Sequence, residues 1–399
     1  MLNVGHHYFV GGGSDRYMLA LGALLKSRGH AVVPFATAHE RNEPTPWADY
    51  FPAGVNPSEP RLTDALRFLW STEARTAMQR VLAEAQSDLA HLHIYYGQLT
   101  ASILGPLHEA RVPVVQSLHE YKLACPVYSF VSNGAVCEAC AGQSFWRALP
   151  RRCNRGSVMR TAASIAEAYL SRWAGDVRRV DHFIAVSDFM RRKMEEYGLG
   201  AGRITTVHNF VDAKAVEPAT DTGSYAFYFG RLERLKGLFT LIEAAGAVPA
   251  LPLWIAGEGK ARSELEAEVQ RQGWSHIRFL GFQRGQALED LIRGARCTVL
   301  PAEWYENCPM SILEALAYAR PVVGSRIGGI PELIEDGVDG YLFEPGNIEE
   351  LRAILRGFSS EPEQTVEMGR AGRAKVKQRF SPDAHYAQIR AVYDQVLHT

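Results

Sequence analysis

The sequence predicts an α/β protein built from two doubly wound, Rossmann-like domains with parallel sheets. Short β-branched runs alternate with amphipathic helical stretches along most of the chain, which is the pattern of βαβ units. The alternation comes in two series separated by one polar, Pro- and Gly-containing stretch. A chain of 399 residues also exceeds the size at which one hydrophobic core stops growing.

Taken in order, the first series opens with a glycine triplet and the amphipathic segment DRYMLALGALLKSRG (15–29). Its strands are expected at 31–37, 89–94, 113–118, 182–187 and 204–209, and the domain spans 1–210 with a cysteine-containing insertion at 120–156. Residues 211–224, VDAKAVEPATDTGS, have no apolar period and read as a linker. The second domain, 225–380, has strands expected at 225–230, 252–257, 277–281, 297–301 and 321–325, and a helix at 348–358. The last stretch, 381–399, reads as a helix capped by Ser381 that packs back on the first domain. In AVSDFMRRKM, Ser187 and Asp188 read as a helix cap.

Composition narrows the function. With 47% apolar and 22% charged residues the chain resembles an ordinary globular enzyme, and a net charge of −1 gives no overall field for nucleic acid. No apolar run reaches the ~18 residues of a membrane span. The N-terminus lacks the basic and apolar regions of a signal peptide, so a cytoplasmic location is expected, with a bias against structural disulfides.

In doubly wound sheets, ligands bind beyond the carboxyl ends of the strands. The residues expected there include His119, Asn209, Arg231, Gly257-Glu258-Gly259, the loop from Glu303 to Glu306, and Arg326 to Gly329. In GRLERLKG (230–237), Arg231 and Lys236 bring a guanidinium and an ammonium to the start of a helix, which suits a phosphate. Gly11, Gly12 and Gly13 precede another helix and let backbone amides approach an anion. Neither GxGxxG nor GxxxxGK[ST] is present, so neither a dinucleotide fingerprint nor a P-loop is supported. In ENCPMSILE (306–314), Pro309 suits a first helical turn. Glu306 and Glu314 stand eight residues apart, each able to accept two hydrogen bonds from vicinal hydroxyls.

GGGSDRY, SLHEYKLACP, GRLERLKG, AGEG and the Glu306–Glu314 pair, in this order, resemble a family 4 retaining glycosyltransferase of the GT-B fold. The likeness runs over roughly 1–380. It implies two domains facing across a cleft and a nucleotide-sugar donor, UDP- or GDP-linked. It assigns Arg231 and Lys236 to the donor diphosphate. Glu306 would lie beside the transferred sugar, with the amides of Asn307, Cys308 and Met310 on its hydroxyls. Glu314 would hold the ribose, and Glu258 stands at the substrate-binding strand end. The Gly12–Gly13 backbone would approach the phosphates, and His119 would face the donor sugar near the reacting carbon. Asn209 matches an element read as structural, and Arg326 with Gly328-Gly329 would border the donor. A nucleoside diphosphate leaves without a general acid, and no carboxylate pair is placed as nucleophile and acid. Front-face attack with retention follows as the expected mechanism. No DxD element occurs, so no active-site metal or other cofactor is expected there. The expected acceptor is a glycan or lipid-linked molecule, in bacterial surface polysaccharide or glycolipid synthesis.

Four of the six cysteines cluster as Cys125, Cys137, Cys140 and Cys153, a C-x2-C knuckle flanked by two more thiols. That set suggests a structural zinc site in a reducing compartment; a subset of family 4 enzymes looks similar here, and scattered core cysteines are the other reading. Next, FWRALPRRCNRGSVMRTAASIA carries Arg147, Arg151, Arg152, Arg155 and Arg160, with no acid between Gly142 and Glu167. Its basic and aromatic composition suits peripheral contact at the inner membrane face or a lipid diphosphate, beside the plainer reading of a solvated surface. A nucleotide-sugar epimerase and a noncatalytic sugar-nucleotide sensor are the alternatives. The first lacks an acid/base set, and the second would not need His119 and Glu306.

Overall fold

The computed structural model describes residues 1–55, 62–200 and 202–398. The chain divides into two compact units. One comprises Met1–Asn133, Cys137–Val207 and Tyr386–Thr399; the other comprises His208–His385 with Gly134–Val136.

The first unit holds a six-stranded sheet of β1 (Leu2–Val4), β2 (Val33–Phe35), β3 (Ala90–Leu92), β4 (Val114–Leu118), β5 (His182–Ala185) and β6 (Ile204–Thr206). Their order is β2-β1-β3-β4-β5-β6, and every neighbouring pair is parallel. Parallel strands are covered on both faces and so read as continuous apolar runs. Leu2, Val4, Leu92, Val115 and Phe183 are fully buried accordingly, each such side chain contributing roughly 1.5–3 kcal/mol. The order reverses between β1 and β3, the switch point at which such sheets take ligands. Helix Gly13–Ser27 follows β1, and helix Val158–Ala174 precedes β5.

The second unit repeats the plan with β7 (Tyr225–Phe229), β8 (Leu253–Ala256), β9 (Ile277–Gly281), β10 (Ala295–Leu300), β11 (Val322–Ser325) and β12 (Gly340–Phe343). The order is β9-β8-β7-β10-β11-β12, again all parallel, with its switch point between β7 and β10.

The expected linker, 211–224, is tied to the second unit. Val211 donates its amide to Phe380 and Ala219 donates to Tyr318. The fully buried Arg320 guanidinium bonds the Asp221 carbonyl at 2.7 Å and pairs with its carboxylate. Helix Pro382–Leu397 begins beside Ser381, whose hydroxyl accepts from the Ala384 amide at 3.3 Å. From Tyr386 onward the chain belongs to the first unit, where the Tyr393 hydroxyl meets His91 Nδ1 at 2.6 Å. Ser187 caps helix Asp188–Glu196 through the Met190 amide.

Two strands of the six-stranded sheets escape sequence reading, β1 and β12, each short and closed by or opening on a glycine. Pro309 lies at the N-cap of helix Met310–Ala317 rather than in its first turn, with an extended ψ of 119°. The helix therefore opens with the amides of Met310 and Ser311 unspent on intrahelical bonds.

Candidate active site

At the carboxyl edge of the second sheet, the segments after β7 and β10 come together. Gly237 sits at φ +70° against the Pro301 carbonyl, where a Cβ would lie 1.7 Å from that oxygen. Only glycine lets the two backbones approach so closely. The Glu303 amide donates to the Leu235 carbonyl at 2.9 Å, and Thr240 donates its hydroxyl to Glu303 at 2.6 Å. This closure carries Lys236 Nζ onto Glu306 Oε1 in a direct ion pair. Trp304 Nε1 donates to the same oxygen at 2.8 Å, and the Lys236 ammonium lies 5.2 Å from the Trp304 ring centroid. Both members of the pair are largely buried, at 14% and 11% side-chain exposure.

Gly328, at φ +62°, presses on the Glu306 backbone, and the Gly329 amide donates to the Glu306 carbonyl at 2.7 Å. Asn209 Nδ2 donates to the Cys308 carbonyl at 2.9 Å and so ties down the ENCP loop. The Cys308 thiol is buried and pushed up to about 12 by burial, which leaves it protonated rather than nucleophilic. Glu314 lies one turn inside helix Met310–Ala317, half-buried among Ile312, Leu313, Leu316 and Ala317.

Arg231 is also at this edge but stays in solvent, paired with Glu233 at 3.1 Å. Glu258 pairs with Arg262 while its carbonyl accepts the Leu232 amide at 2.9 Å, tying the loops after β7 and β8. Arg326 is engaged by Asp336 and Glu344, each at 3.2 Å. The structure thus brings Lys236, Glu306, Asn307 and Cys308 into one group, with Arg231, Glu258 and Glu314 on the same strand-end edge.

In the first unit, His119 follows β4 and closes a chain of buried hydrogen bonds. Asn3 Nδ2 donates to the Met18 carbonyl at 3.1 Å, which turns Oδ1 toward His93 Nε2, 2.8 Å away. His93 Nε2 must therefore carry the proton, and Nδ1 accepts. Its neighbour there is His119 Nε2 at 3.0 Å, which in turn must be the donor. A neutral His119 then keeps its lone pair on Nδ1. Burial pushes His119 down to about 4 and holds His93 well below the usual imidazole range, with His91 and His119 adding to the effect on His93. Tyr17 edges against both rings, with centroids 5.7 and 5.0 Å away.

The glycine triplet after β1 is already engaged in part. Gly11 donates its amide to Asp15 Oδ2 at 3.2 Å, and the Gly12 amide is also directed at that carboxylate. Asp15, in the first turn of helix Gly13–Ser27, takes the seat that the helix N-terminus offers an anion. Gly13 has open space around it. Sequence reading missed Asp15, Trp304, Asn3 and His93.

The four expected zinc ligands lie near one another, since Cys125, Cys153 and Cys137 all act electrostatically on Cys140. Among the described residues, no three His, Cys, Asp or Glu side chains are arranged to hold a metal ion. Cys140 is buried in an apolar cluster with Phe145, Ala148 and Ala168, against which Cys153 and Ile165 pack. Its thiol is pushed up to about 12, chiefly by burial and then by the neighbouring thiols. Cys153 lies 3.7 Å from the Ser132 hydroxyl, and Cys125 and Cys137 are free thiols.

Comparison with known proteins agrees with this organisation. The profile described as Glycosyltransferase Family 4 matches residues 11–215, and that described as Glycosyl transferases group 1 matches 211–375. The chain is 27% identical to the glycogen synthase of Mycobacterium tuberculosis over 395 residues, covering 92% of this chain and 87% of that protein. Sucrose-phosphate synthase from Thermosynechococcus elongatus has a TM-score of 0.73 at 18% identity, over 99% of this chain and 96% of that one. HepE from Anabaena, solved with UDP-glucose, has a TM-score of 0.69 at 19% identity, over 99% of both chains. The two structures share the GT-B fold with this chain.

Proposed function

Since the chain belongs to glycosyltransferase family 4, we propose that it moves a hexose from a nucleoside-diphosphate sugar to a glycan or lipid-linked acceptor, with retention at the anomeric carbon. The observation that carries this reading is the Lys236–Glu306–Trp304 group at the β7/β10 switch point, beside Arg231. UDP is the favoured carrier, because HepE was solved with UDP-glucose.

The chemistry asks for three things. Departure of the nucleotide builds negative charge on the diphosphate, and Lys236 with Arg231 meets it. Lys236 is fixed by Glu306 and the Trp304 ring, so it needs little reorganisation, and such preorganised groups are worth about 3–4 kcal/mol each. The oxocarbenium-like sugar is oriented through its hydroxyls by Glu306 and the amides that open helix Met310–Ala317. Glu314 would hold the ribose. His119 on the first unit meets the transferred sugar as a neutral ring, and the acceptor loses its proton to the leaving phosphate as it attacks from the same face. Synthesis of a surface polysaccharide or glycolipid is the proposed setting.

The test is calorimetric titration with UDP and GDP, and turnover of UDP-hexoses, in the native chain and in R231A/K236A. The double variant should lose at least 10²–10³-fold in turnover and most of its nucleotide affinity while still folding cooperatively. Unchanged affinity and turnover in the folded variant would refute the assignment. An inverted anomeric proton coupling in the product would refute retention.

A further inference from the structure

Helix Val158–Ala174 is inside-out. A surface helix ordinarily turns its apolar stripe to the core. Here the buried face is Thr161, Ser164, Glu167, Ala168, Ser171 and Ala174, mostly small or polar. The exposed face is Met159, Ala162, Ala166, Tyr169 and Trp173, at spacings of three, four, three and four residues. Met159 is 83% exposed and Trp173 76%. The inversion is held in place by Glu167, fully buried, which pairs with Lys122 at 2.5 Å and accepts from the Ser171 hydroxyl at 2.9 Å.

The apolar face extends onto the turn before the helix. Trp146, 60% exposed, donates its amide to the Tyr169 hydroxyl at 3.4 Å, and Leu149 is exposed beside it. Arg147, Arg151, Arg152, Arg155 and Arg160 surround this end, all exposed. Among the described residues none of the five pairs with a carboxylate; Arg147 and Arg151 bond only backbone carbonyls, those of Ala139 and Arg147. Arg152 and Arg155 sit at φ +48° and +53°, a conformation that costs a non-glycine residue about 1–2 kcal/mol.

We propose that this face of the first unit docks on an anionic lipid surface. Methionine, tyrosine and tryptophan enter the headgroup boundary, and the arginines meet lipid phosphates. The charge selects this occupant: a second copy seated on the same stripe would set five arginines against five. The proposal is independent of the transfer chemistry, since none of these residues belongs to the donor group.

The native chain is sedimented with phosphatidylcholine vesicles and with equimolar phosphatidylglycerol–phosphatidylcholine vesicles, without sugar nucleotide. Binding is expected only to the anionic vesicles and should weaken as salt rises. R151Q/R152Q/R155Q should lower vesicle affinity about a hundredfold, roughly fivefold per arginine. M159S/W173S should lower it independently, both variants keeping the native melting temperature. Native protein that stays in the supernatant with anionic vesicles overturns the proposal, as does binding that ignores both lipid charge and salt. A native dimer in analytical ultracentrifugation that M159S/W173S converts to monomer would give the face to a second copy and equally overturn it.

Discussion

Asn3→Leu changes no residue assigned to substrate, yet it should alter His119. The Asn3 carboxamide is 2% exposed and offers one acceptor to His93 Nε2 and one donor to the Met18 carbonyl. Leucine fills nearly the same space and offers neither. The His93 Nε2 proton is then stranded in an apolar interior, at about 1–3 kcal/mol for a buried donor left unmet. The ring can escape by moving its proton to Nδ1, but there it confronts the His119 Nε2 proton 3.0 Å away. His119 must then carry its own proton on Nδ1. Either the unit loses that stability, lowering its melting temperature by about 2–4 °C per kcal/mol, or the tautomers of both rings reverse. A reversal that withdraws 1.4 kcal/mol from the transition state slows turnover about tenfold. Nitrogen-15 spectra of histidine-labelled protein report the tautomer directly. The native His119 should carry its proton on Nε2 near neutral pH, and Asn3→Asp, which keeps an acceptor toward His93, should preserve that signal. A native His119 protonated on Nδ1, or an Asn3→Leu protein unchanged in tautomer, melting and turnover, refutes the reasoning. Full turnover in His119→Ala, with the tautomers as described, would instead sink only the histidine's place at the sugar.

Two further outcomes follow from buried charge. Lys122→Met strands the fully buried Glu167 carboxylate and should destabilise the chain by about 3–5 kcal/mol, whereas K122M/E167L should recover most of it; equal losses in the two variants by denaturant titration would refute the pairing. His385, buried against Phe210 and bonded to the His208 carbonyl at 2.9 Å, is pushed down to about 4 from its ordinary 6.5. The unfolded chain takes up that proton first as pH falls, so the stability due to a neutral His385 is present above 6.5 and lost toward 4. The melting-temperature gap between native protein and H385Q should therefore shrink over that interval, and a constant gap would refute the linkage.

The strand-end residues were legible because parallel strands announce themselves as apolar runs and the residue after each run needs no further information. That reasoning placed Lys236 and Glu306 on one edge, but not in contact; the contact depends on Gly237 meeting Pro301, a backbone approach that pattern cannot show. His91 and His93 lie within the strand expected at 89–94, where alternate residues share a face, and their rings stack at 4.5 Å. Two histidines on one face of a buried strand were the available signal. β1 was hidden because three residues between Met1 and Gly5 are too short for a period. The cysteine spacing points to zinc but carries no coordinates of its own; that Cys153 packs against the apolar cluster of Cys140 is read only from the fold.

The return of Tyr386–Thr399 to the first unit governs how this molecule can be made or recombined. A ribosome that has released only the first 207 residues has not yet supplied Tyr393, and His91 waits without the hydroxyl that meets its Nδ1. Maturation of that half is thus deferred until residues 386–399 have been made. A chimera that exchanges donor specificity between relatives must graft an internal cassette, His208 to His385, and leave the tail with its original host.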